Sequence, residues 1–373
     1  MIKVAVIGIQ GVPAHYGGFE SLVENLIGKN CPSNVQYTIF CSSSDYKEKR
    51  QFYKGARLKY IPMHANGIHS IPYDILSMCK ALRGYNTILI LGVSGCMFMP
   101  MLRHLTNAKI IVNIDGLEHK RQKWGKTARW YLKNSESLAV KYADVIVADN
   151  KGIQDYVRKT YKKESVLIPY GGDQVIKKIS EKKKQQILDS FGLKENQYAL
   201  SVCRIEPENN PEIILEAFSK NGKPLMFVGN WKHSDWSKHL LEKYCQFENI
   251  RLENSIYDLE ILAALREKTH LYIHGHSAGG TNPSLVEAMH FGIPIATWDV
   301  VYNRETTEGK AYYFKTPDEL IGIYSRADLE GEKMQEIARR RYLWEIISRQ
   351  YCNLYAHSKN HVNQYNNHLI PTV

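Results

Sequence analysis

The chain has 373 residues, 44% hydrophobic and 23% charged, with a formal net charge of +11. That length fits two domains of ordinary size, the composition excludes disordered and fibrous classes, and no run reaches the roughly 20 apolar residues of a membrane span. The seven Cys are scattered without a CxxC or a His/Cys cluster at metal spacing, which predicts no metal site and a reducing, cytoplasmic compartment.

The first residues, 1–8, form an apolar run too short for a signal peptide, entering a Gly loop at once; they read as a buried first strand. From there β-branched runs alternate with helical patterns. Strands are predicted at 3–7, 36–40, 57–61, 87–91, 109–113, 145–148 and 165–168. Helices are predicted at 19–29, 71–82, 97–106, 126–142 and 154–160. The alternation argues for a parallel, doubly wound sheet. The rhythm pauses at Pro169-Tyr170-Gly171-Gly172-Asp173, and the Lys-rich stretch 177–186 reads as a linker and the start of a second unit. Strands resume at 198–203, 224–228, 250–252, 270–274 and 294–297, with helices at 211–219, 237–247, 257–268 and 283–290. The tail from Asp318 reads as helical and ends in a His/Asn-rich piece. The predicted domains are 1–172, 173–345 and a C-terminal helix and tail, 346–373, packing back on the first. Such paired α/β sheets bind ligand between them, at the carboxyl ends of their strands.

Several strand ends carry residues suited to a phosphorylated sugar. After the 270–274 strand comes Gly275-His276-Ser277-Ala278-Gly279-Gly280-Thr281-Asn282-Pro283-Ser284-Leu285-Val286-Glu287. A small-residue loop entering a helix offers unpaired N–H groups and the positive end of the helix dipole to an anion. Glu287, one turn in, is placed to accept from sugar hydroxyls. Arg204, ending the 198–203 strand, has the forked donor geometry of a diphosphate clamp; a surface salt bridge is the plainer alternative. Pro207-Glu208-Asn209 continues that loop. Gly229-Asn230-Trp231 and Asn254-Ser255-Ile256 follow the next strands and are candidates to hold a base by stacking and backbone contacts. Asn303-Arg304-Glu305-Thr306-Thr307-Glu308 follows the 294–297 strand, is polar and is expected near the Gly280 loop.

In the first half, Gly8, Gly11, Gly17 and Gly18 bracket a loop whose backbone can approach a ligand closely. Its spacing is not the dinucleotide fingerprint, which argues against a dehydrogenase. Asp115 and Glu118 follow the 109–113 strand, where Asp115 is placed to bind or deprotonate a hydroxyl and Glu118 to assist; a capped helix start is the alternative. Lys120, Arg121, Lys123, Trp124, Lys126, Arg129, Trp130 and Lys133 interleave cations with Trp, a pattern suited to lipid headgroups. The positive charge points to an anionic membrane face or a phosphorylated lipid substrate, with a plain basic helix face and a solvated basic surface as the alternatives. Nucleic acid is not expected, since no zinc-finger spacing, RNP-like motif or recognition helix is present.

With these motifs in order, the chain resembles the GT-B glycosyltransferases of family 4, the retaining ones. Pro283-Ser284-Leu285-Val286-Glu287-Ala288-Met289-His290-Phe291-Gly292-Ile293-Pro294, Arg204, Pro207-Glu208 and Gly17-Gly18 carry the likeness. Gly-Gly-Phe-Glu at 17–20, Asp-Gly-Leu-Glu at 115–118, Pro-Glu-Asn-Asn at 207–210 and Gly-Gly-Thr-Asn-Pro-Ser at 279–284 narrow it to a bacterial subgroup. Many members of that subgroup are rhamnosyltransferases of capsule and cell-wall polysaccharide assembly. The resemblance implies two Rossmann-like domains facing a central cleft. It implies a nucleotide-sugar donor, dTDP-rhamnose first and UDP-hexoses next, with no metal or further cofactor. The donor would meet Gly17, Gly18, Arg204, Asn209, Gly229, Ile256, Gly279, Gly280, Thr281, Asn282, Ser284, Leu285 and Glu287, the last on the ribose. Asp115, Glu118 and Arg204 are the implied catalytic set. The implied acceptor is a polyprenyl-diphosphate-linked saccharide, which places the protein peripherally on the inner face of the cell membrane. Two departures stand out. Gly279 replaces the family's first acidic residue, eight positions before Glu287, and the family's phosphate Lys near Asn209 is missing. A GT-B nucleotide-sugar epimerase is the alternative on the same fold.

Overall fold

The computed structural model describes residues 1–14, 17–28, 33–121 and 124–356. It divides into two compact units, one of Met1–Tyr170 completed by the helix that starts at Trp344, the other of Gly171–Leu343.

The first unit runs β1 (Ile2–Ile7), α1 (Gly18–Leu26), β2 (Val35–Ser42), β3 (Phe52–Tyr53), β4 (Ala56–Ile61), α2 (Ser70–Lys80), β5 (Thr87–Leu91), α3 (Met99–Leu105), β6 (Lys109–Asn113), α4 (Lys126–Tyr142), β7 (Val145–Ala148), α5 (Lys151–Tyr161) and β8 (Val166–Leu167). Its sheet has the order β3-β4-β2-β1-β5-β6-β7-β8, parallel except for the β3–β4 pair. β1 pairs with β2 on one side and β5 on the other, so the winding reverses beside β1.

The second unit runs α6 (Glu181–Ser190), β9 (Ala199–Val202), α7 (Pro211–Asn221), β10 (Leu225–Val228), α8 (Asp235–Tyr244), β11 (Ile250–Glu253), α9 (Leu259–Glu267), β12 (Leu271–His274), α10 (Pro283–Met289), β13 (Ile295–Trp298), α11 (Val301–Thr306), β14 (Tyr312–Phe314), α12 (Pro317–Tyr324) and α13 (Glu332–Arg341). Its sheet is wholly parallel, in the order β11-β10-β9-β12-β13-β14. The reversal here lies between β9 and β12, which pair through Leu271 and Ala199. The central strands read as near-continuous apolar runs because helices cover both faces of a parallel sheet.

The last described helix, α14 (Trp344–Ala356), belongs to the first unit. Trp344, Ile347, Tyr351, Leu354 and Tyr355 enter the same core as β1, β2 and α1. Each such side chain contributes about 1.5 to 3 kcal/mol on burial. Two side chains fix the helix in register: Lys109 donates to the Leu354 carbonyl at 2.6 Å and Asn113 to the Tyr351 hydroxyl at 2.9 Å. The His/Asn-rich end of the chain lies outside the described residues.

The stretch expected to be a linker and the start of the second unit is helical in its second half. α6 starts at Glu181, capped by Ser180, whose hydroxyl accepts from Lys183 N. Ile187 and Leu188 are buried, and Lys184, almost fully buried, pairs with Glu181 at 2.7 Å and Glu267 at 2.5 Å. A run of lysines reads as solvated, yet lysine stems cover apolar surface while their heads find carboxylates. The polar 303–308 stretch falls largely in α11, and β14 was not foreseen because a three-residue edge strand carries too little pattern.

Candidate active site

In an open α/β sheet, ligands sit outside the carboxyl ends of the strands where the winding reverses. In the second unit that places the loops after β9 and β12 side by side. Arg204 follows β9 and is exposed, and its guanidinium has no ion pair or hydrogen bond among the described residues. The 3-10 turn after it, Pro207–Asn209, is stitched to the β12 loop. Asn209 is nearly fully buried; its amide donates to the Arg204 carbonyl at 2.7 Å, and its Oδ1 lies 2.6 Å from His276 Nδ1. Asn210 donates to the Gly275 carbonyl at 2.8 Å, while Ser277 donates through both N and Oγ to the Glu208 carbonyl, each at 2.8 Å. From α11, Asn303 donates to the His276 carbonyl at 2.8 Å. Gly275 is required here, because a Cβ would stand 2.1 Å from the Asn209 carbonyl oxygen.

The loop then turns through Gly279, at φ +92°. The N–H groups of Gly279, Gly280 and Asn282 have no partner among the described residues. The start of α10 differs from expectation. Pro283 has no N–H, Ser284 N donates to Asn282 Oδ1 at 3.0 Å, and Leu285 and Val286 donate to the Asn282 carbonyl at 3.1 and 3.2 Å. The free donors therefore belong to the loop, not to the helix end. Asn282 Oδ1 also accepts from Ser284 Oγ at 2.9 Å, so Asn282 acts as the cap. Thr281 is buried, and Leu285 is a fully buried core residue.

Glu287 is held by two residues that sequence reasoning missed. Arg266 Nη2 lies 2.5 Å from Glu287 Oε2, and Gln174 Nε2 donates to Oε1 at 2.9 Å. Arg266 is 1% exposed and its Nε and Nη1 have no partner, an unusual state for a buried guanidinium. The available signal is an Arg closing the largely apolar run Leu259-Glu260-Ile261-Leu262-Ala263-Ala264-Leu265-Arg266. Below the loop, His274 Nε2 and Thr297 Oγ1 are also buried without partners among the described residues. Burial pushes the His274 imidazole down to about 3, so it is neutral.

The base-holding loops look different from expectation. Trp231 is 1% exposed, packs edge-on against Phe227 at 5.1 Å and donates to the Glu253 carbonyl; it is core, not a stacking platform. Gly229 lets the end of β9 approach, since a Cβ would meet Ile205 Cδ1 at 2.5 Å. Ile256 is half-buried against the second unit's core.

In the first unit the loop after β1 depends on backbone freedom. Gly8, at φ +97°, leaves no room for a Cβ, which would lie 2.0 Å from the Leu91 carbonyl oxygen. Gly17, at φ +115°, stands directly over Glu20, 2.0 Å from a built Cβ to Oε2, and Gly18 opens α1. Glu20 is buried and its Oε1 accepts from Gln10 N at 2.9 Å. Burial raises its pKa, and the nearby Asp115 charge adds to the shift. Asp115 itself takes a left-handed conformation, φ +60°, with its N–H donating to Asn113 Oδ1 at 3.0 Å. The two carboxylates share one neighbourhood; Glu20 stood in the Gly-Gly-Phe-Glu motif but not among the expected site residues.

Glu118 is not a free carboxylate. Its Oε1 accepts from Trp124 Nε1 at 3.0 Å and its Oε2 meets Arg121 Nε at 2.8 Å. The basic stretch it opens is divided. His119 and Lys133 lie 2.9 and 3.3 Å from the buried Glu136, which Tyr156 and Tyr161 also donate to at 2.7 and 2.6 Å. Those donors hold the Glu136 carboxyl at about 2 despite burial. Lys126, Arg129 and Trp130 are exposed, and Lys123 lies outside the described residues. Among the described residues no cluster of three or more His, Cys, Asp or Glu is placed to hold a metal ion, and no helix is long and apolar enough to cross a membrane.

Comparison with known proteins agrees with this layout. Residues 181–320 match the family of glycosyl transferases group 1. The second unit carries a glycosyltransferase domain. The chain is accordingly a glycosyltransferase with two parallel-dominated α/β sheets, the GT-B architecture. Residues 1–173 match a domain of unknown function, DUF1972. No curated protein sequence matches the chain. Among solved structures, sucrose-phosphate synthase from Thermosynechococcus elongatus is 17% identical, covers 95% of this chain and 98% of its own, and superposes with a TM-score of 0.78. HepE from Anabaena, in complex with UDP and glucose, is 14% identical, with 95% and 99% coverage and a TM-score of 0.75. A glycosyltransferase from Rickettsia africae is 12% identical, with 95% and 97% coverage and a TM-score of 0.71. At such identities the likeness is one of fold.

Proposed function

We propose that this glycosyltransferase is a retaining enzyme of family 4 that moves rhamnose from dTDP-rhamnose to a lipid-linked saccharide in surface polysaccharide assembly. The observation that supports the reading is the pairing of an Arg204 guanidinium with a loop whose Gly279, Gly280 and Asn282 N–H groups, like it, have no partner among the described residues. Both face the reversal point of one sheet, and both suit the oxygens of a diphosphate. Positive charge at the leaving diphosphate stabilises charge as it develops, which is the largest single contribution in many transfer reactions. Glu287, fixed by Arg266 and Gln174, would present a carboxylate to the ribose hydroxyls. Gly17 and Gly18 would meet the donor from the first unit, and Asp115, with Glu20 beside it, would orient the acceptor hydroxyl; Glu118 would act only by shaping the turn. The donor needs no further cofactor in this scheme. In this reading the enzyme works peripherally at the inner face of the cell membrane, a reading the exposed cations of α4 support.

A UDP-hexose donor is the second reading, favoured by the UDP and glucose bound in HepE. Incubation with dTDP- and UDP-sugars, with and without lipid-linked acceptor, and assay of free nucleoside diphosphate separates the two. Release from dTDP-rhamnose that rises with acceptor is expected, and it should persist in EDTA. Turnover of UDP-sugars alone would transfer the reading to a hexosyl donor. Interconversion of the sugar with no diphosphate release would mark an epimerase.

A further inference from the structure

One surface of the first unit is apolar without being covered. Met97, Met101 and Leu105 stand four residues apart along α3 and the turn before it, and all are exposed, at 38%, 55% and 53%. Four-residue spacing puts them on one helix face. α4 packs against α3, and its Trp130 is 65% exposed. Apolar side chains this large and this open, gathered on two neighbouring helices, mark an interaction surface rather than chance exposure.

The charge around them identifies the partner. α3 has no acidic residue, and the only one on α4 is Glu136, which is buried among His119, Lys133, Tyr156 and Tyr161. On the same two helices His104, Lys126 and Arg129 are exposed. Neighbouring helices that carry exposed apolar side chains and exposed cations, with no exposed carboxylate of their own, complement an anionic bilayer, with Trp130 suited to the headgroup level. A protein partner or second copy would ordinarily be matched by mixed charge at the rim.

The geometry points to the Met97–Met101–Leu105 stripe with Trp130 as the element that inserts into the headgroup region of an anionic membrane, Lys126 and Arg129 holding the lipid phosphates. This deepens the membrane reading above and rests on it, but moves the anchor. Within the basic stretch Lys133 is turned inward to Glu136 and Arg121 pairs with Glu118, and the contact falls on α3, whose sequence carried no lipid signal.

The test is sedimentation of the full-length chain with vesicles of phosphatidylglycerol and phosphatidylcholine, beside vesicles of phosphatidylcholine alone. The wild-type chain is expected to bind the anionic vesicles only. Met101→Glu with Leu105→Glu, both at exposed positions, should weaken binding at least tenfold at low and physiological salt alike, with the melting temperature unchanged. Lys126→Glu with Arg129→Glu should weaken it at low salt, each cation contributing about fivefold, and brominated lipid should quench fluorescence that Trp130→Phe removes. Wild-type affinity in the Met101/Leu105 double variant, with binding lost in the Lys126/Arg129 variant, would overturn the stripe and leave a purely electrostatic membrane reading. No binding by the wild-type chain would sink both. A self-associating chain that the Met101/Leu105 variant makes monomeric would show the stripe to be a contact between copies.

Discussion

At the carboxyl edge of the second sheet, side chains tie the loops. Asn209, Asn210, Ser277 and Asn303 each reach a main-chain group or ring of the neighbouring loop, and Arg204 is left over with nothing to hold. At the corresponding edge of the first sheet the loop's shape lies in the backbone. Gly8, Gly11 and Gly17 have positive φ, Asp115 is left-handed, and Glu20 closes the loop by accepting from Gln10 N. Side-chain ties leave a ligand-binding charge free to be removed without structural consequence. Backbone-built loops do not, since the residue that shapes the loop is also the one nearest the ligand. The first design should yield variants that lose activity and keep stability, the second variants that lose both.

The sharpest way to break that contrast is Arg204→Ala. Removing a donor that stabilises developing charge costs about 100- to 1,000-fold in turnover, or about 3 to 4 kcal/mol. Because the guanidinium is exposed and has no partner among the described residues, the melting temperature should stay within about 1 °C, a surface change of a few tenths of a kcal/mol at most. Normal release of nucleoside diphosphate by this variant would remove Arg204 from the diphosphate.

Next is Glu136→Gln, which tests how firmly the first unit's basic stretch is built in. The folded Glu136 carboxyl is held at about 2 against an ordinary 4.5. A carboxyl depressed in the folded state contributes stability that is present above the unfolded value and lost as pH falls through the folded one. The gap corresponds to about 3 kcal/mol. Urea midpoints of wild type and variant should therefore differ at pH 7 and converge between about pH 4.5 and pH 2. A constant difference across that range would mean that the carboxylate's charge is not what the donors stabilise.

Gly17→Ala should cost about 2 kcal/mol or more of stability, from the strain of a positive φ and the clash with Glu20. Activity should fall with it, and Glu20→Ala in the same chain, which removes the clash, should restore part of the stability. Full activity with a lowered melting temperature would separate the loop from the ligand.

Much of this contrast was visible in the residues themselves. The strand–helix alternation, the 87–91, 109–113 and 145–148 strands and the 126–142 helix emerge at those bounds. Long apolar runs between polar loops depend on local pattern alone. The site was legible at the level of loops, because Gly, Pro, Asn and Arg at strand ends point to ligands by type. What could not be read was which polar atoms the fold had already used. Asn282 as a cap, Glu118 held by Arg121 and Trp124, and Trp231 in the core all have the right residue types in the right loops. Their partners are set by tertiary packing, as are Arg266 and Gln174, which come to Glu287 from 21 and 113 residues away.

The smallest expected effect bears most directly on the contrast. Asn209→Ala removes two hydrogen bonds, one to the Arg204 carbonyl and one to His276, while leaving the Arg204 guanidinium untouched. Each bond is worth about 1 kcal/mol net, so the second unit should lose about 1 to 2 kcal/mol of stability. If the tie exists to hold Arg204 ready for the diphosphate, the thermal shift induced by a nucleotide diphosphate should shrink by more than the stability loss alone explains. Binding would then include the cost of ordering the β9 loop, which the tie removes in advance. Adding Arg204→Ala to the Asn209→Ala chain should then have less effect on that shift than it has alone, since a loop already loosened has less to lose. Additive effects would mean that the stitching serves stability only, and that Arg204 finds the ligand from a loop with no need of pre-organisation.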